Sequence, residues 1–133
     1  MKTIYFAHDQ QESPALRAHI LEIAGFEVRL LQHPDELFAA IEEQPPALVL
    51  LDVLLEGPNG FRVCEELAHR YPSRSFPIVI CTQIYRARQF REEALALGAA
   101  DYVLLPIGFE EFAECIRQAI ARHGTLDSSG QAA

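Results

Sequence analysis

One aspartate ends the most apolar segment of this chain. Asp52 follows Val49, Leu50 and Leu51, and a carboxylate at the carboxyl end of a buried strand stands where open α/β sheets do their chemistry. Asp9 ends another apolar run, Thr3–Ala7, in a similar way. If these two segments lie side by side, their carboxylates converge, and two close carboxylates repel unless a proton or cation stands between them. A hard divalent cation held by one or two carboxylates, a backbone carbonyl and waters resolves the repulsion and leaves a position for a phosphoryl oxygen. Thr82 ends a further apolar run and brings a hydroxyl to the same mouth.

These residues meet only if particular elements carry them. Apolar runs of strand length alternate along the chain with stretches of helical period. The expected strands are Thr3–Ala7, Glu27–Leu31, Ala47–Asp52, Phe76–Thr82 and Asp101–Leu105, nearly continuously apolar as strands covered on both faces should be. Helical stretches fall between them. The first opens on Ser13-Pro14 as N-cap and first-turn proline, turns Leu16, Ile20 and Ile23 to one face, and stops at Gly25. The second starts near Pro34-Asp35 with Leu37, Phe38 and Ile41 inward, and Pro45-Pro46 stops it. The third follows Asn59-Gly60 with Phe61, Cys64, Leu67 and Ala68 on one face, and the fourth carries Phe90, Ala94 and Leu97 and closes at Gly98. The fifth has Glu110 and Glu111 in its first turn, Phe112, Ile116 and Ile120 inward, and Arg122 with His123 in its last turn, which suits the helix dipole. Five such β-α repeats imply right-handed crossovers and an α/β fold, a doubly wound five-stranded parallel sheet layered α/β/α, for which the flavodoxin-like order 2-1-3-4-5 is the expectation. In that order the first and third strands are neighbours, which brings Asp9 and Asp52 to one pocket. Residues 1–123 make one domain, and residues 124–133, small and polar, read as a flexible tail or linker stub.

Composition narrows the functional classes. With 133 residues, half of them apolar, the chain is long enough to bury roughly 65–70% of its unfolded surface around one core. A formal charge of −8 argues against nucleic-acid binding, which needs a basic face for counterion release. No apolar run approaches the ~20 residues of a membrane span and no signal-peptide core follows Met1-Lys2-Thr3, so a cytoplasmic protein without membrane contact is expected. Cys64, Cys81 and Cys115 are odd in number, lack C-x-x-C spacing and sit in apolar patterns, as small core residues do. His8-Asp9-Gln10-Gln11-Glu12 would repel the phosphate of a flavin, Leu54 stands where a haloacid-dehalogenase phosphatase needs a second acid, and no Walker-type Gly-x-x-x-x-Gly-Lys occurs. These features argue against an enzyme.

The segment LVLLDVLLEGPNGFRV, residues 48–63, resembles the stretch around the phospho-accepting aspartate of two-component response-regulator receivers: strand, aspartate, three residues, then a loop closing on Asn-Gly before a helix. GAADYVLLP, residues 98–106, resembles that family's Gly-Ala-x-x-Tyr strand, and the spacing from Asp9 to Gly25-Phe26 fits without a gap. The likeness runs over about residues 3 to 123. It implies that Asp52 accepts a phosphoryl group from a histidine kinase or phosphotransfer protein, with Gly60 as the loop glycine. It further implies that Asp9, Asp52 and the backbone carbonyl of Leu54 hold a weakly bound Mg2+, and that Thr82 and Tyr102 are the switch residues that move after phosphorylation. The expected output is a changed face of helix four, strand five and helix five, which docks an output protein or a second copy of the chain. The alternative is a pseudo-receiver, a protein-interaction module independent of phosphorylation.

Departures from the family pattern concentrate on charge. His8 replaces the first of two adjacent acids, and Leu105 replaces the lysine that precedes the proline after strand five. Glu56 stands where a proline is usual. Lys2 is the only lysine, the other ten basic residues being arginine, and it lies at the opposite end of strand one, which spans ~17–20 Å. Three acids and a lysine sum to −2, and Asp9 with Asp52 beside a neutral His8 also sum to −2, so the two substitutions compensate. Two further sources of charge are weighed: a protonated His8, and Arg86 with Arg88 after strand four, which with Arg91 more simply form a solvated helix face. A softer metal ion drawn by the His8 imidazole is a lesser alternative. If His8 supplies charge, His8→Ala changes the pH dependence of labelling by a small phosphodonor between about pH 6 and 8, and identical profiles for the two proteins overturn that role.

Overall fold

The computed structural model describes residues 2–8, 15–55 and 57–129. Strands β1 (Thr3–Ala7), β2 (Glu27–Leu31), β3 (Leu48–Asp52), β4 (Ile78–Thr82) and β5 (Asp101–Leu104) alternate with helices α1 (Ala15–Ile23), α2 (Pro34–Glu43), α3 (Gly60–Arg70), α4 (Arg88–Ala96) and α5 (Phe109–Ser129). The strands form one parallel sheet in the order β2-β1-β3-β4-β5, the expected flavodoxin-like order. Every residue of the central strands β3 and β4 is buried, whereas the edge strand β2 exposes most of its residues.

Strand alternation divides the core in two. Tyr5, Ala7, Val49, Leu51, Ile80 and Tyr102 face α2, α3 and α4, packing on Leu37, Phe38, Phe61, Cys64, Leu67 and Ala94. Ile4, Phe6, Leu48, Leu50, Cys81 and Val103 face α1 and α5, packing on Leu21, Phe112 and Ile116. Neighbouring strands end in register, with Ala7 opposite Leu51, Asp52 opposite Cys81 and Thr82 opposite Leu104. The same alternation places Asp52 and Cys81 on the α1–α5 side, and Thr82 and Tyr102 on the α3–α4 side.

Three expectations need correction. The first concerns the phase of α1: Leu16 and Ile23 are exposed, and the residues turned inward are Arg17, Ala18 and Leu21. Leu21 fills the core with no exposure, and its docking rotates the helix so that the arginine beside Leu16 points into the protein. The expected cap at Ser13-Pro14 lies outside the described residues. The second concerns α5, which continues past Arg122 and His123 to Ser129 instead of giving way to a tail at Gly124. A glycine costs a helix about 1 kcal/mol relative to alanine, and His123 Nε2 lies 3.0 Å from the Arg74 carbonyl, anchoring the helix just before it. The third is a matter of strand ends. β3 and β4 begin at Leu48 and Ile78, because Pro77 has no N–H to give, and β5 ends at Leu104, although the Leu105 amide still donates to the Thr82 carbonyl.

The β3–α3 connection is tight. The Gly60 amide donates to the Val53 carbonyl at 2.7 Å, Asn59 Oδ1 caps α3 by accepting from the Arg62 amide, and a Cβ on Gly60 would overlap the Asp52 carbonyl. Backbone cannot yield as a side-chain tip can. Gly60→Ala should therefore lower stability in urea melts by about 1–3 kcal/mol, and an unchanged midpoint would show that this loop does not fix the Asp52 backbone.

Candidate functional site

β3 delivers Asp52 to the carboxyl edge of the sheet, where only 7% of its surface stays accessible. A carboxylate so enclosed needs partners. It has two, and sequence reasoning assigned neither to it. Arg17 Nη1 donates to Asp52 Oδ1 at 2.5 Å and stands 3.3 Å from Cys81 Sγ; the Cys81 thiol in turn donates to the same Oδ1 at 3.3 Å. Among the described residues, these bonds fall on Oδ1 and none on Oδ2. The guanidinium carbon lies 5.0 Å from the centre of the Phe6 ring, so the arginine crosses a core aromatic before it reaches the acid.

Electrostatics agree with this arrangement. Burial works to lower the Arg17 pKa, but the interactions with Cys81 and Asp52, Coulombic and hydrogen-bonded, leave it above its ordinary value, so the guanidinium is charged. Burial first, and the neighbouring Asp52 second, hold the Cys81 thiol well above its usual range, so it stays a neutral donor. Arg17 was missed because Leu16, Ile20 and Ile23 offered a plausible apolar face. The available signal was Leu21: counted from it, positions 17, 18 and 21 share a face, and an arginine on such a face requires an acid to meet.

The switch candidates lie on the other side of the sheet. Thr82 Oγ1 accepts from the Ile84 and Tyr85 amides at 3.1 and 3.2 Å, closing the turn after β4. Tyr102 is buried, stacks on Phe61 at 6.0 Å, and donates its hydroxyl to the Tyr85 carbonyl at 2.6 Å. Both hydroxyls thus hold the backbone of one residue, Tyr85. Burial pushes the Tyr102 phenol up to about 12.

Leu105 is buried in the α1–α5 core, and its carbonyl accepts from Arg86 Nη1 at 2.5 Å. With Leu16, Arg17, Ile20, Pro106 and Phe112 it lines a cavity of about 410 Å³ beside the acid. The side chain at position 105 is therefore part of an apolar wall, and the cation that meets Asp52 comes from α1. Arg88 pairs with Glu92 on the exposed face of α4, as a solvated helix face predicts, while Arg91 reaches Asp101 and the Tyr102 carbonyl. His8 is buried, its ring 5.7 Å from that of Phe6. The expected electrostatic compensation counted no cation at Asp52, and Arg17 changes that premise.

Of the expected metal ligands, Asp9 lies outside the described residues, and Leu54 follows Asp52 in the exposed turn after β3. The described donors do not fit a divalent ion as they stand. Oδ1 is already bound to a guanidinium, and each charge on an ion ~4 Å from it would cost about 4 kcal/mol in an effective dielectric of ~20.

Comparison with known proteins agrees with the geometry. The family model described as response regulator receiver domain matches residues 4–117. The phosphate regulon transcriptional regulatory protein PhoB of Rhizobium meliloti (strain 1021) is 30% identical over 119 residues, covering 90% of this chain and 52% of the relative. Thus the chain spans about half the length of that relative. The solved BeF3-activated N-terminal receiver domain of Klebsiella pneumoniae RstA superposes with a TM-score of 0.79 at 27% identity, covering 89% of this chain and 97% of that one. A CheY-like receiver domain protein of Methanospirillum hungatei JF-1 shares the fold with a TM-score of 0.81 at 23% identity, covering 94% and 98% of the two chains. From its sheet order, from the aspartate at the end of β3 and from these likenesses, the chain belongs to the response-regulator receiver domain family.

Proposed function

We propose that this receiver takes up a phosphoryl group on Asp52 from a phosphohistidine of a histidine kinase or phosphotransfer protein and signals through the face formed by α4, β5 and α5. The observation that carries this reading is the asymmetry of the Asp52 carboxylate. Oδ1 is held by Arg17 and Cys81, and the described residues leave Oδ2 as the oxygen that can attack. As the bond from Oδ2 to phosphorus forms, the phosphorus–nitrogen bond breaks and the histidine ring leaves with the electron pair. Phosphoryl transfer of this kind depends on positioned charge around the moving group more than on covalent help from the protein.

The path to the output face runs through Tyr85. In this reading the Thr82 hydroxyl turns from the Ile84 and Tyr85 amides to a phosphoryl oxygen, which loosens the loop whose carbonyl holds Tyr102. Arg86 and Arg91 tie the same loop and helix to the Leu105 and Tyr102 carbonyls of β5 and its end, so displacement of the loop is felt along β5. A changed α4–β5–α5 surface then binds an output protein or a second copy of the chain.

The second reading, a pseudo-receiver, is favoured by the same ion pair, because an acid already neutralised from within has less need of a phosphoryl group and its counter-ions. Acetyl phosphate separates the two. Intact mass should show one phosphoryl group on the wild type and none on Asp52→Asn. A wild type that stays unmodified, with divalent ion present and with it removed, would establish the pseudo-receiver.

A further inference from the structure

We propose that Arg17 is a built-in cation that takes the place of a divalent metal ion at Asp52. Three observations meet at this site. Arg17 lies on the inward face of α1 with 8% of its surface accessible, while the other polar side chains of the helix, His19 and Glu22, are exposed, and its Nη1 meets Asp52 Oδ1. Leu105, which lines the same cavity, is apolar, and among the described lining residues Arg17 is the one cation. Cys81 adds a neutral thiol donor to the same oxygen, which leaves Oδ1 doubly bound and turned away from service as a metal ligand.

The substitution is chemically balanced. A guanidinium and a metal ion each neutralise the carboxylate and attract phosphoryl oxygens, but the guanidinium offers N–H donors in a planar fork that suits phosphate. With acetyl phosphate as donor, Asp52 Oδ2 forms the new bond to phosphorus and the bond to the acetate oxygen breaks, acetate leaving with its electrons. The phosphoryl oxygens gain their positive partner from Arg17. A tethered cation is present at all times, so the pocket does not respond to the free divalent-ion concentration.

The transfer half of this proposal rests on Asp52 being the acceptor, whereas the exclusion of metal does not, and the two are measured separately. In the first arm, Mn2+ is titrated into the 15N-labelled wild type, and the Val53 and Leu54 amides should keep their signals at millimolar ion. Arg17→Ala should lose them through paramagnetic broadening, and Arg17→Lys should resemble the wild type. In the second arm, acetyl phosphate should label the wild type equally in EDTA and in Mg2+, while Arg17→Ala labels about 100-fold more slowly in EDTA and recovers on adding Mg2+. Broadening of Val53 and Leu54 in the wild type, or wild-type labelling that vanishes in EDTA, overturns the proposal. Both of those readings are made on the unmutated chain, so they stand even if Arg17→Ala fails to fold. Absence of labelling under every condition counts against the acceptor role alone, and the Mn2+ arm still decides the role of Arg17.

Discussion

Arg17 and Asp52 have left water together as one buried ion pair. Desolvating two ions costs several kcal/mol apiece, which their attraction offsets only when geometry is good and the remaining polar atoms are bonded. Here the pair has a short contact, a thiol that donates to the same oxygen, and an aromatic ring beneath the guanidinium. Removing one partner of such a pair typically costs 3–5 kcal/mol, roughly, because the other stays buried and uncompensated. The interaction also joins α1 to the carboxyl ends of β3 and β4, so the position of the first helix and the setting of Asp52 are one mechanical problem.

Leu105 makes sense only beside this pair. Taken alone, an apolar residue at the family's lysine position reads as a loss of function in the pocket. In the proposed reading the cation sits on α1 instead of at the end of β5, and Leu105 packs in the core with Phe112 and Ile116. A lysine at that place would set a second positive charge against the guanidinium across one small cavity. Leucine avoids the repulsion.

The two sides of the sheet divide the labour. Asp52, Cys81 and Arg17 lie on the α1–α5 side, where charge is settled, and Thr82, Tyr85 and Tyr102 lie on the α3–α4 side, where hydrogen bonds hold a loop in place. The two sets meet at the ends of β3 and β4, which carry Asp52, Cys81 and Thr82 and are paired in register at Asp52 and Cys81. The fully buried central strands fix the distances between them.

Much of this was legible in the chain. Runs of apolar residues separated by amphipathic stretches determine a parallel α/β sheet, because backbone hydrogen bonding and burial of both sheet faces allow few other solutions. The placing of Asp52 and Thr82 at the carboxyl edge and the helix faces of α2 and α3 follow from that periodicity, whereas the strand order is an expectation carried by the fold type. The phase of α1 did not follow. Its apolar residues lie on both sides, and a local pattern cannot choose between two nearly equivalent faces; packing of Leu21 against the sheet makes the choice, and turns Arg17 inward with it. Nor does any local pattern reveal a contact between residues 17, 52 and 81, which lie on three separate elements. Periodicity along the chain thus determined the scaffold and the acidic edge, while tertiary packing alone decided which cation meets the acid, because that depends on the rotation of one helix against a finished sheet.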